Sequence, residues 1–363
     1  KRCVKTRPTV FQACAAGSVR WWPGYPGVTT GITSCTSIRR IWTRATCLWT
    51  GMRYLITGRW RHGPPAPTVP VARASAFFAA GIWVAGISGT VFYLLAAACF
   101  ARPVLASGNQ RNFIAVAALL LLGITHAAFH WQLAQGNAAA VRPALWAGLV
   151  MVACFIGLGV MRIMPFFTAK RLNIAQVASP MWVALSALVL PMLMAVLMMF
   201  QTALPLAGLL GIAAGIINLV QVFRWWHKDV VREPMLWVLF AGYFFTALGL
   251  LVTGIAQWLP AYLSLGVHLI GVGGIGLLTL GMMARTALGH TGHAIYPPPS
   301  PVPLAFWLMV LATLARVFAA FTSGAAYTHS IYCSAALFAL ALLLFAWRYI
   351  PWLIKPRADG KPG

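Results

Sequence analysis

Histidines are the residues with the most evident capacity for chemistry in this sequence, and two of them stand close together near its end. The stretch "ARTALGHTGHAIYPPPS", residues 284 to 300, holds His290 and His293 together with Arg285. Imidazoles in such a stretch bind metals or act as switches, and they also serve as polar groups at the end of a helix. Glycines that suit a helix stop, followed by a proline run, favour the helix end. The sequence therefore predicts a helix terminus here, with a metal site at His290 as the alternative.

Four other ionisable residues lie within strongly apolar segments. His126 and His130 occur in "GITHAAFHWQL", His268 in "SLGVHLIGVGGIGLLTLGMM", and Arg316 in "ARVFAA". An ionisable group is costly inside a bilayer, so each is a candidate for a functional role. His126 and His130 are four residues apart and lie on one helix face, so at most one of them is an axial haem ligand. The other would bind a second metal such as copper or donate a hydrogen bond.

The composition indicates a membrane protein. Of the 363 residues, 61% are hydrophobic, and the mean hydropathy is +0.81. The chain has three acidic residues and 27 Lys and Arg, an excess of positive charge that is also found in nucleic-acid-binding proteins. The basic residues after position 75 lie mainly between apolar runs, however, and this placement argues against nucleic-acid binding. We predict an all-α polytopic transmembrane bundle with nine spans, since about 20 residues cross a bilayer. They are residues 76–100, 113–133, 144–163, 179–200, 203–223, 235–258, 262–283, 303–322 and 328–349.

The charges of the connecting loops predict the orientation of these spans. Thirteen Lys and Arg fall on one side of the membrane together with the C-terminal residues 351–363, and only Arg142 falls on the other. By the positive-inside rule the first side is cytoplasmic. In this orientation His126, His268 and Arg316 lie at similar depths in the outer half of the membrane, where we expect them to converge with His130. A haem in that layer would have imidazoles for its iron and a guanidinium for its propionates, whereas the alternative is hydrogen bonding between helices.

Residues 1–75 differ from the rest of the chain. They are rich in Arg, Trp and Thr, contain no acidic residue, and show neither a helical nor a strand period. We interpret the segment as an out-of-frame translation of the coding DNA or a wrong start; the alternative is a disordered basic tail. The transmembrane domain then occupies residues 76–350.

Other catalytic motifs are missing from the sequence. There is no CxxC, Walker loop, GxSxG or HExxH, and the spans contain no paired carboxylates. The methionines near residues 192–199 and 282–283 offer soft ligands for Cu(I), but we interpret them as core packing.

Several stretches together resemble the NnrS family, haem- and copper-containing membrane proteins of the bacterial nitric oxide response. They are "GNQRNF", "AAFHWQL", "MRIMPFFTAKRL", "GVHLIGVGGIGLLTLGMMARTALGHTGHAI" and "ARVFAA". The resemblance implies a fold of about twelve helices, so three spans would precede the nine seen here. It also implies the inner membrane of bacteria as location, a link to denitrification, and nitric oxide or a related small molecule as partner. The family's histidine-rich segment near the start has no counterpart in this chain.

Carried over to this sequence, the resemblance favours His130, His268 and His290 as functional histidines, with Arg162, Arg285 and Arg316 as supporting charges. The expected function is that of a membrane protein that binds haem, with copper as a second cofactor, in the response to nitric oxide or nitrosative stress. Two alternatives stay open: a cofactor-free transporter or channel whose histidines line a path, and a structural partner of a respiratory complex.

Overall fold

A computed structural model describes residues 81–108 and 113–360, and over these residues the chain is helical, with no strand. Nine helices in the described part are long and apolar enough to cross a membrane, in agreement with the predicted fold class and span number. The three earlier spans expected from the family resemblance, and the interpretation of residues 1–75, lie outside the described residues.

The helices follow the apolar runs of the sequence. They are α1 Gly81–Ser107, α2 Phe113–Ala134, α3 Ala138–Leu172, α4 Met181–Phe200, α5 Leu204–Trp225, α6 Pro234–Ile255, α7 Leu263–His268, a π-helix Leu269–Gly276, α8 Leu277–Thr291, α9 Val302–Ala319 and α10 Gly324–Leu353. Short 3₁₀ turns, Lys228–Arg232 and Pro260–Tyr262, precede α6 and α7.

The seventh span is longer and less regular than its sequence predicts. It runs through Pro260–Thr291 instead of ending near residue 283, and its middle is a π-helix. Side chains at Gly273 and Gly274 would overlap Phe245 and Thr246 of α6. The glycines therefore let two backbones approach closely. Gly271 differs, because a Cβ there would meet nothing within 4 Å.

Consecutive helices pack against each other, and α6 is among the most enclosed of them. Its small residues make this possible: a Cβ on Gly254 would come within 2.6 Å of the backbone nitrogen of Ile212 on α5. The outer faces of α1 and α10 instead carry large exposed apolar side chains, including Ile87, Leu343 and Trp347. Such faces suit contact with lipid, the solvent that surrounds a membrane bundle.

Candidate functional site

The imidazoles of His126 and His130 lie side by side against α1. Their ring centroids are 4.6 Å apart, and two glycines of α1, one turn apart, make the room that they occupy. A Cβ on Gly89 would overlap Nε2 of His126, and a Cβ on Gly86 would approach Cβ of His130 to 2.8 Å. The pairing of two histidines with two glycines thus depends on the packing of the first two described helices.

Each of these two imidazoles has a buried nitrogen without a hydrogen-bond partner among the described residues. The atoms are Nε2 of His126 and Nδ1 of His130. The carbonyls of Ala85 and Ile82 on α1 lie near the two rings, but neither makes a hydrogen bond of good geometry with these nitrogens. Buried polar atoms are normally paired, so two orphaned nitrogens in one place indicate an incomplete site.

His268 is in a different situation, because both of its ring nitrogens are engaged. Its Nδ1 lies 2.6 Å from the carbonyl oxygen of Ser264, and its Nε2 lies 2.9 Å from Nη2 of Arg316. A guanidinium only donates hydrogen bonds, so Nε2 must accept and the ring proton must sit on Nδ1, donated to the Ser264 carbonyl. The nitrogen that would ligate a metal is therefore occupied by Arg316, whose Nη1 is buried without a partner.

The predicted convergence of the intramembrane residues takes the form of two pairs. His268 and Arg316 are in contact, as are His126 and His130, but no contact in the described part joins one pair to the other. Within residues 81–108 and 113–360, no three His, Cys, Asp or Glu side chains lie close enough to hold a metal ion together. A single layer of four cooperating residues stays a prediction.

The opening stretch with His290 and His293 ends the seventh span. Helix α8 continues to Thr291, and Gly292 closes it with a positive φ of 77°. His293 stacks on Trp352 with centroids 4.1 Å apart, and the carbonyl of His290 accepts a hydrogen bond from Arg357. The stretch is thus a helix terminus, as the sequence favours, with Gly292 as the stop, and the C-terminal segment is bound to it.

Comparison of the sequence with known families gives one decisive observation. The model of the NnrS protein family matches residues 42–357, which is most of the chain. This chain belongs to the NnrS family. No curated protein and no solved structure matches it. Family membership and the helical bundle together support a multi-pass membrane protein of the nitric oxide response.

The donor set at His126 and His130 fits the metal ions that this NnrS family member is expected to bind. Imidazole nitrogen suits copper as well as iron and zinc. The two rings already fill the space that Gly86 and Gly89 leave, since a Cβ on Gly89 would overlap Nε2 of His126. A macrocycle would fit between these rings and α1 only if α1 moved away. Together with the occupied Nε2 of His268, this means that the described arrangement does not fit a haem at either histidine.

The described part of the NnrS chain also contains a site that sequence reasoning assigned only as supporting charge. Arg285 is 8% exposed, lies over the ring of Phe167 at 4.2 Å, and donates hydrogen bonds to Tyr296 and to the backbone of Met235. The sequence offered one sign of this site, because Arg285 stands alone at the end of an apolar run, two residues after a methionine pair. The partners come from three separate segments, so the sequence alone did not connect them.

The supporting charge Arg162, the histidine His329 and the methionines lie outside both pairs. Arg162 is on the exposed side of α3, and His329 is exposed near the start of α10. Of the methionines, Met194 and Met198 are fully buried in an apolar cluster with α3, α5 and α6 side chains, as expected for core packing.

Proposed function

We propose that this chain binds one metal ion of the copper class through His126 and His130 and acts in that form in the response to nitric oxide. The single observation that carries the proposal is the pair of buried, unpartnered ring nitrogens facing Gly86 and Gly89. Nitrogen-to-metal bonds are about 2.0–2.1 Å long, so neighbouring rings at 4.6 Å are close enough to turn toward one ion.

A bound copper ion would supply one-electron redox chemistry and, with only two protein ligands, open positions for a small molecule. The chain's own residues do the rest. Packing of α1 against α2 buries one nitrogen of each ring and holds the two rings together, since Gly86 and Gly89 let the helices approach closely. Surrounding side chains carry no carboxylate, because the chain's three acids are at positions 229, 233 and 359.

The family resemblance also implies haem binding and a link to denitrification. Both remain expectations, and the proposed copper site does not depend on them. Ligation of a haem iron by His268 would require Arg316 to release Nε2 first. A transporter without cofactor is the rival function, and the π-helix in the seventh span is the observation that favours it. Discontinuous spans in two related halves are typical of transporters, and the described part shows this π-helical interruption in one span.

Metal analysis of purified protein tests the proposal. Protein made in copper-supplemented cells should hold about one copper per chain, and His126→Ala and His130→Ala should each remove most of it. His329→Ala is the matched control, an exposed histidine near the same membrane surface, and should keep the metal. Copper content that is absent from the well-folded wild type, or unchanged in both variants, rules the site out. A reduced-minus-oxidised spectrum on the same sample tests the haem separately.

A further inference from the structure

Arg285 is buried at the point where α3, α6 and α8 meet, near the ends of these helices that carry the positive loops. Its Nη2 donates hydrogen bonds of 2.9 Å to the carbonyl of Met235 and to the hydroxyl of Tyr296. Its Nε is buried without a partner. The guanidinium is thus held by neutral groups and by the ring of Phe167.

No side-chain carboxylate is available to balance this charge. The chain has three acidic residues, and each is paired with a residue other than Arg285: Glu233 with Arg171, Asp229 with His227 and Arg232, and Asp359 with Arg357. A guanidinium keeps its charge in proteins. Burial of an unpaired charge is costly, so a buried cation without a counter-ion indicates that an anion from outside the chain completes the site.

A second guanidinium increases the positive charge at this place. Arg171 lies over the ring of Tyr296 at 4.0 Å, and Arg285 is 5.5 Å from the same ring centroid. Only Glu233 stands against these two cations. The cluster of Arg285, Arg171 and Tyr296, which we call the arginine cluster, therefore carries a net positive charge even with its carboxylate counted.

An apolar groove of about 200 Å³ begins one helical turn from the arginine cluster, between the same three helices. Met282 in its lining is one turn before Arg285, and Leu239 is one turn after Met235. Both steps lead away from the positive loops and toward the middle of the membrane. The lining includes Gly159 and Met164 of α3, Leu239 of α6, and Leu278 and Met282 of α8.

We propose that the arginine cluster and this groove together bind one anionic phospholipid. Its phosphate pairs with Arg285, and one acyl chain lies in the groove. A buried cation and an apolar channel one turn apart match the two ends of such a molecule, whereas a free inorganic anion would leave the groove unused. Basic pockets between transmembrane helices on the cytoplasmic side are typical sites for anionic lipid headgroups. The site is independent of the proposed metal site, which lies between α1 and α2.

Lipid retention tests the proposal directly. The full chain is reconstituted in bilayers of phosphatidylcholine with a minor share of phosphatidylglycerol, extracted gently, and its co-purified lipid is measured by native mass spectrometry. We expect one phosphatidylglycerol per chain, enriched over its share in the bilayer. Arg285→Gln should lower this retention about fivefold, since one basic residue contributes about that factor to anionic lipid binding.

A second variant tests the groove without touching the charge. A Cβ on Gly159 would meet nothing within 4 Å, so Gly159→Leu can fill the groove without a backbone clash, and it should lower retention while the arginine cluster stays intact. Gly271→Leu is the matched control, because Gly271 also has open space beside it but lies outside the groove lining; it should retain lipid. If Arg285→Gln fails to fold, the difference in lipid retention between Gly159→Leu and Gly271→Leu still tests the proposal.

Three results would overturn the lipid site. They are equal retention of phosphatidylcholine and phosphatidylglycerol by the wild type, unchanged retention in Gly159→Leu, and full displacement of the lipid by millimolar inorganic phosphate, which would identify a small-anion site. Copper content, measured on the same samples, should be the same in Gly159→Leu and wild type. Lipid retention therefore tests the lipid site, and copper content tests the metal site, so either proposal can fail without the other.

Discussion

Arg316 donates a hydrogen bond to Nε2 of His268 across 2.9 Å, and this contact joins α9 to the end of α7 just before the π-helix. It also gives the imidazole a defined tautomer, because Nδ1 must then donate to the Ser264 carbonyl. His268, one of the three histidines that the family resemblance favours as functional, is thereby a structural hydrogen-bonding group in the described arrangement. A ligand that reaches its Nε2 has to displace a guanidinium.

The His268–Arg316 contact should be measurable as a coupling energy. Arg316→Ala and His268→Ala are each expected to lower the midpoint of thermal unfolding, since either change leaves the other member of this half-buried pair without its partner. The double variant should be more stable than the sum of the two losses predicts, by about 1 kcal/mol. Arg142→Ala, an exposed arginine at the start of α3, serves as the control. Strict additivity would show that the two side chains do not interact.

Gly89→Ala should damage the site between α1 and α2. The added methyl group overlaps the His126 ring, so the ring or the helix must move, at a cost of about 1–3 kcal/mol. The same change at Gly271, where the space is open, should be neutral or stabilise the helix by up to about 1 kcal/mol. Thermal unfolding and copper content of both variants check this. A Gly89→Ala protein with normal stability and normal copper would contradict the packing described here.

The C-terminal segment should remain docked on the end of α8 over a wide pH range. Arg357 forms two hydrogen bonds with Asp359 and a third with the His290 carbonyl, and Ala358 donates from its backbone to Thr291. The hydrogen bond to Asp359 raises the pKa of the Arg357 guanidinium above its ordinary value. This pairing needs an ionised carboxylate as well as a charged guanidinium, so its stabilising effect is present across the neutral range; it is lost when the carboxylate is protonated in strong acid or when arginine loses its proton at extreme alkaline pH.

Hydrogen exchange of the Ala358 amide measures this docking. Its protection factor should stay constant from about pH 6 to about pH 9, and Arg357→Ala should abolish it, whereas Lys355→Ala, which keeps the arginine, should not. Loss of protection within that pH interval in the wild type would show that a group other than Arg357 controls the contact.

The proposed orientation can be checked with reporter fusions. A green fluorescent protein after Gly363 should fluoresce and an alkaline phosphatase there should be inactive, because the positive loops and the C-terminal residues are expected in the cytoplasm. A reporter inserted at Gly136, in the turn between α2 and α3, should give the reverse pattern. The same behaviour of both positions would refute the alternating topology.

Hydropathy and loop charge were enough to predict the membrane class, the nine described spans and their helical nature, because the bilayer imposes a length and a composition on whatever crosses it. The motif around His268 and Arg285 was enough to predict the family. Span ends were less predictable. Helix α3 continues through Pro143 and Pro165, because a transmembrane helix tolerates proline within it. Helix α8 passes Arg285 and His290, because polar residues at a membrane surface do not have to end a helix.

The partners of each polar side chain followed from tertiary structure alone. These helices are apolar on most of their circumference, so no stripe in the sequence tells which face meets a neighbour. Only the packed bundle shows that Arg316 holds His268, and that His126 and His130 face two glycines of α1. It also shows that Arg285 is buried while every carboxylate of the chain is paired with another residue. These side-chain contacts depend on how each helix is rotated and how far it lies from its neighbours, and a hydropathy pattern does not report either. The composition of the chain, by contrast, is enough to predict that it lies in a membrane.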